Sequence, residues 1–236
     1  MDFKSIDHLD QAYEALRQEF IRREQRLKSL QSTLHTGEPQ QSPTADCSSK
    51  GKLVLIDIDD TVAITAPTWT ALTERFMTDR GHRRIIPSEL YTYRIEDSFD
   101  FPEYLKPAYF QYMYQNMPWS SLPVNPDAID FVNSLDSTHT VEFVTSRIQG
   151  IADVTREWIT KYFGERVIHF EDIPTRKADY LVDNSQKRIT LYKEYNPNVK
   201  AFLYSGILTE RFPEVPNFFG FSDLLEICKH IIMEDK

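Results

Sequence analysis

Apolar residues recur along this chain with two different periods. Between residues 6 and 34 they fall at Ile6, Leu9, Tyr13, Leu16, Phe20, Leu27, Leu30 and Leu34, with Arg23 taking one seam position. Spacings of three and four alternate, so the segment predicts an amphipathic heptad helix. A lone apolar stripe needs a covering surface: a second copy, another protein, or the chain's own globular part. From Leu53 onward, short apolar runs alternate with amphipathic segments. The runs at 53–56, 140–145, 166–170, 179–182 and 199–204 predict strands. The segments at 69–80, 125–135, 151–163, 186–194 and 221–233 predict helices, with Asn125 as an N-cap, Pro126 in its first turn, and Gly81 and Gly164 as stops. Strands that alternate with helices predict an α/β fold, a Rossmann-like doubly wound parallel sheet with helices on both faces.

Two stretches interrupt that rhythm. Residues 36–50, TGEPQQSPTADCSSK, are polar and rich in Pro, Ser and Gln, and read as a flexible linker. Residues 66–121 separate the first strand from the second and are crowded with aromatics between Tyr91 and Trp119, punctuated by Pro102, Pro107 and Pro118. They read as a small helical insert. The expected organisation is therefore a heptad helix at 1–35, a linker at 36–50, a core formed by 51–65 and 122–236, and the insert at 66–121.

Composition narrows the function classes. A net charge of −9 speaks against a general nucleic-acid-binding surface. It leaves room for a small anion held by a metal and local cations. Two cysteines, Cys47 and Cys228, make no disulfide or zinc framework and suit a reducing compartment. No stretch approaches the ~20 apolar residues of a membrane span, and the polar start MDFKSIDHLD lacks a signal core. A cytoplasmic protein without membrane contact is the expectation.

The candidate chemistry lies at the strand ends. The first strand runs into Asp57, Ile58, Asp59, Asp60 and Thr61; the second into Thr145, Ser146 and Arg147; the fourth into Asp183 and Asn184, after Arg176 and Lys177. Parallel strands bring their carboxyl ends to one edge, where open α/β sheets place ligands. Strand alternation would point Asp57 and Asp59 to one side. Adjacent carboxylates are costly unless they share a cation, and oxygen donors favour Mg²⁺. Carboxylates, a hydroxyl and a cation together suit phosphoryl transfer.

These residues resemble the haloacid-dehalogenase superfamily of aspartyl-phosphate phosphatases. Its first motif, Asp-x-Asp-x-Thr after an apolar strand, is matched by Asp57, Asp59 and Thr61; its second by Thr145; its fourth by Asp183. The likeness runs from about Lys52 to the end. The segments LPVNPDAIDFVNSL, VEFVTSR and KADYLVDNSQKRI look most like the 5′-nucleotidase and deoxyribonucleotidase group. The resemblance implies an Mg²⁺-dependent phosphomonoesterase with the insert as a helical cap and a nucleotide as substrate. Asp57 would be the nucleophile and Asp59 the acid/base. Asp57, the Asp59 carbonyl and Asp183 would hold the metal. Thr145 would bind the transferring group, with Thr61 supporting the loop, and Lys177 would offset charge. Ser146, Arg147 and Trp69 are the candidate substrate contacts. Three departures stand out. Asp60 occupies a position often held by Gly, Asn184 replaces a second carboxylate, and Lys177 lies unusually close to Asp183, so Arg176 is an alternative. Other readings are a phosphatase of a sugar phosphate or nucleic-acid end, and a non-catalytic assembly protein. In each, residues 6–34 could join a second copy or a protein partner.

Overall fold

The computed structural model describes residues 51–83, 101–206 and 219–234. The heptad segment, the linker and much of the aromatic insert lie outside them. Six parallel strands form one sheet in the order β3-β2-β1-β4-β5-β6. They are β1 (Leu53–Asp57), β2 (Thr140–Thr145), β3 (Ile168–Phe170), β4 (Tyr180–Asp183), β5 (Lys200–Tyr204) and β6 (Phe219–Phe221). Val54, Leu55 and Ile56 of β1 are fully buried. That is why this strand reads as an unbroken apolar run and not as an alternating one: a parallel strand with helices on both faces buries both sets of side chains.

The helices are α1 (Ala66–Thr78), α2 (Lys106–Asn116), α3 (Ala128–Asp136), α4 (Ala152–Phe163), α5 (Gln186–Tyr195) and α6 (Leu224–Glu234). The connection through α3 leads from β1 to its neighbour β2, and α4 leads outward to β3. The chain then returns across the sheet to β4, on the other side of β1, and continues outward through α5 to β5. The winding reverses between β1 and β4. Such a switch point leaves a crevice beyond the strands' carboxyl ends. Helix α3 packs on β2, α4 and α6, whereas α5 packs on β4 and β5. The chain divides into two compact units. The sheet unit includes α1, and residues 102–116, with a short 3-10 turn at Glu103–Leu105 and α2, belong to the other. No helix among the described residues is long and apolar enough to cross a membrane.

Three local details depart from the sequence expectation. Strand β6 is additional: Phe219–Phe221 is too short to show a period, and β5 pairing creates it, with Phe202 opposite Phe219. Helix α3 starts at Ala128, after Asp127, and Asn125 is not its side-chain cap. The Asn125 amide instead donates to the Thr61 carbonyl at 2.9 Å and the Tyr204 hydroxyl at 2.8 Å, tying the loop after β1 to the end of β5. Helix α6 starts at Leu224, because the residues before it enter the sheet. Gly164, by contrast, stops α4 as expected; at φ 76° it takes a conformation that costs glycine little.

Candidate active site

Register alone brings two acidic side chains together. Ile56 pairs with Val182 across β1 and β4. Asp57 and Asp183 each lie one residue further along adjacent strands, at one level and on one face of the sheet. Both are almost completely buried, at 2% and 1% exposure. Between them lies a cation that sequence reasoning missed. Arg188, in the first turn of α5, donates from Nη1 to Asp57 Oδ1 at 2.6 Å, and its Nε is 3.3 Å from Asp183 Oδ2. The turn that delivers it is local. Asp183 Oδ1 accepts the Ser185 N–H at 2.7 Å, and Ser185 Oγ caps α5 by accepting the Arg188 N–H at 3.2 Å. The short segment Asp183-Asn184-Ser185 thereby folds α5 back over the strand end.

Burial is the main influence on Asp57 and raises its carboxyl well above the usual range; Arg188 opposes this, while the Asp183 and Asp59 charges add to it. Asp183 is likewise raised by burial, against the pull of Arg188 and of the Ser185 N–H. Thr61 donates from its hydroxyl to Asp57 Oδ2 at 3.3 Å and is fully buried.

Asp59 lies beyond the end of β1, near enough for its charge to act on Asp57. Strand β1 ends at Asp57, so alternation no longer governs the next residues. A tight turn follows, in which the Val62 and Ala63 N–H groups donate to the Ile58 carbonyl and the Asp60 N–H donates to the Ala63 carbonyl. That turn sends the Asp59 carboxylate to Arg147. Nε donates to Oδ2 at 2.9 Å and Nη2 to Oδ1 at 2.7 Å, a two-pronged pairing. Arg147 is 2% exposed. Its Nη1 donates to Thr155 Oγ1 at 3.2 Å, and its guanidinium stacks 4.9 Å from the Trp119 ring centre. Trp69 meets Trp119 edge to face at 6.4 Å. Trp69 and Arg147, read from sequence as substrate contacts, thus form one chain of contacts leading to Asp59.

Thr145 ends β2 fully buried, and its hydroxyl accepts the Arg147 N–H at 3.1 Å. Ser146, between them, is exposed. Lys177 is also exposed, and Arg176 reaches Glu142 at 3.0 Å. The cation paired with Asp57 comes from the helix after Asp183, not from the loop before it. The loop at 176–177 is tied to α5 by Tyr192, whose hydroxyl donates to the Arg176 carbonyl at 2.6 Å. Asn184 is buried beside Asp183.

Asp60 has a structural reason. Its φ of 57° is left-handed, a conformation that Asp tolerates better than most residues. Its Oδ1 accepts the N–H groups of Thr65 at 2.9 Å and Ala66 at 2.7 Å, satisfying the start of α1. Burial pushes its carboxyl up to about 6, against those two donors. A raised folded value means that the native chain holds this proton more tightly than the unfolded one. The contribution is complete below the unfolded value and is lost as pH rises through about 6. Unfolding free energies measured between about pH 4 and 6 should fall with rising pH in the wild type relative to Asp60→Asn. Parallel curves for the two proteins would contradict this.

The donors available to a metal here are hard oxygens: the carboxylates of Asp57 and Asp183, with the Asp59 carbonyl as the resemblance implies. That chemistry fits Mg²⁺, and the pair already grips a cation, Arg188. Among the described residues no group of three or more His, Cys, Asp or Glu side chains gathers to hold a metal. The Asp59 carboxylate, turned to Arg147, does not join the other two.

No protein-family model and no curated protein matches this sequence. Solved structures do match its fold. A phosphoglycolate phosphatase candidate from Lactobacillus plantarum superposes with a TM-score of 0.57 at 13% identity, over 77% of this chain and 99% of that one. A conserved haloacid dehalogenase-like protein of unknown function from Agrobacterium tumefaciens gives 0.54 at 11% identity, over 79% of this chain and 100% of that one. With the parallel six-stranded sheet, its switch point and these superpositions together, the chain has the haloacid-dehalogenase fold.

Proposed function

We propose that this chain is an Mg²⁺-dependent phosphomonoesterase that works through an aspartyl-phosphate on Asp57. The observation that carries the reading is the buried Asp57–Asp183 pair at the sheet's switch point, sharing a cation at 2.6 and 3.3 Å. Burying two like charges side by side is expensive, and a fold that needed neither would replace them with apolar residues at little cost. Charge retained there suits chemistry on a phosphate.

In the first half-reaction Asp57 attacks phosphorus as the ester P–O bond breaks, and Asp59 protonates the departing oxygen. In the second, Asp59 removes a proton from water, the water oxygen attacks phosphorus, and the bond to Asp57 breaks, releasing phosphate. Both Asp59 oxygens are engaged by Arg147, so proton transfer requires one prong of that fork to open. Asp57, Asp183 and the Asp59 carbonyl would hold Mg²⁺, which supplies neutralisation of phosphate charge. Thr145 retains a hydroxyl proton to donate after accepting the Arg147 N–H.

The substrate we propose is a (deoxy)nucleoside monophosphate. Support comes from the half-buried Trp69 ring, braced edge to face by the buried Trp119, which offers a base an aromatic face. A phosphate-release screen with Mg²⁺ over nucleoside monophosphates, sugar phosphates and end-phosphorylated oligonucleotides tests both levels. Turnover should be highest on the nucleotides. A preference for either other class would replace the substrate. No release from any of them would replace the reaction, leaving an assembly role through residues 6–34, which lie outside the described structure.

A further inference from the structure

Arg188 occupies the place where two carboxylates meet, and so would a divalent cation. All four carboxylate oxygens have named neighbours. Asp57 Oδ1 takes Arg188 Nη1 and Asp57 Oδ2 takes the Thr61 hydroxyl. Asp183 Oδ1 takes the Ser185 N–H, and Asp183 Oδ2 faces Arg188 Nε. The Ser185 and Thr61 contacts belong to turns that shape the strand ends. Those of Arg188 come from one long side chain, 13% exposed, and not from a turn's backbone or hydroxyl. A guanidinium stays protonated in proteins, so it cannot relieve the crowding by losing its charge.

Resting on the reading of Asp57 and Asp183 as the cation-holding pair, we propose that Arg188 is a built-in counter-ion that a divalent metal displaces. Guanidinium and metal would be alternative occupants of the Asp57–Asp183 pair, the guanidinium now lying against Asp57 Oδ1 and Asp183 Oδ2. In the metal-free chain Arg188 offsets part of the repulsion between the carboxylates. On metal binding its head leaves the pair while its backbone stays fixed by the Ser185 cap. The tether keeps the displaced charge in the first turn of α5, so wild-type metal affinity carries the cost of breaking both contacts.

The test is calorimetric titration of the full chain with Mg²⁺ and, separately, Mn²⁺. Removing a competing unit charge this close to a dication should tighten binding about ten-fold or more in Arg188→Gln. Arg188→Lys, a point charge without the fork, should fall between the two. Equal or weaker binding in Arg188→Gln overturns the proposal, as does absence of binding in both proteins. Should Arg188→Gln fail to fold, the wild type decides. The ¹⁵N resonance of Arg188 Nε should move with Mg²⁺ saturation, and a resonance that stays fixed while Mg²⁺ binds overturns the exchange. The outcomes are separable from those of the phosphatase reading. Phosphate release with unchanged metal affinity defeats the exchange alone, and tightened affinity without phosphate release defeats the phosphatase reading alone.

Discussion

Asp57→Asn should lose phosphate release by about a thousand-fold or more, the usual scale for removing a nucleophile that nothing else replaces, and should keep its fold. The substitution is nearly isosteric, and the amide oxygen can still accept from Arg188 Nη1. It removes one of two buried carboxyls whose charged forms burial opposes, with the Asp183 charge adding to the rise at Asp57. Burial disfavours the charged form of this carboxyl, so the neutral amide should melt at the same temperature or higher. Loss of activity with preserved or increased stability is the signature of a strained functional site. Phosphate release and thermal melting on one preparation check both halves. Turnover equal to wild type would sink the nucleophile assignment, and a large fall in melting temperature would show Asp57 to be structural.

Asp59→Ala should behave in the opposite way, losing stability as well as turnover. Its carboxylate is the anion that the guanidinium of Arg147 grips with two prongs, and Arg147 is 2% exposed. Removing one member of such a pair leaves a buried charge behind, at a cost on the order of 3–5 kcal/mol. Replacing both members with neutral groups spares most of that cost. Denaturant unfolding should therefore rank the proteins as wild type, then Asp59→Ala with Arg147→Met, then Asp59→Ala alone. The double variant should regain stability and remain inactive. A single variant as stable as wild type would mean that Arg147 finds another anion, and a double variant no better than the single one would place the damage outside the pair. The contrast follows from exposure and partners: Asp57 loses a repulsion with Asp183, whereas Asp59 leaves a cation stranded.

The parallel α/β class of the sheet and most of its elements were legible because they depend on short-range periodicity, whereas the strand order is seen only in the structure. The run Val54–Ile56 is apolar along its length and fully buried, as a parallel strand with both faces covered requires. Helix stops at glycine are equally local. Strand β6 was not legible, since three residues carry no period and its existence depends on β5 lying alongside. Neither was the role of Asn125, which looks like a helix cap in sequence but spends its amide on Thr61 and Tyr204.

At the site, the chain order of Asp57, Asp59, Thr145 and Asp183 is visible in the residues themselves, because each lies at or just beyond the end of one of three strands, the first two sharing β1. Which side chains meet is another matter. Arg188 lies among the helical positions QKRITLYKEY, where a basic residue reads as a solvated face; its meaning depends on the register of β1 against β4 and on the Ser185 turn. Arg147 and Lys177 are both cations near strand ends, yet one is buried against Asp59 and the other exposed. Asp60 owes its place to a left-handed turn and two helix N–H groups. Local pattern places each acidic group at a strand end, since backbone hydrogen bonding and side-chain burial repeat at short range. The pairing of charges is a long-range balance of burial against Coulomb attraction, and it is settled when strands and helices distant in sequence come within a few ångströms.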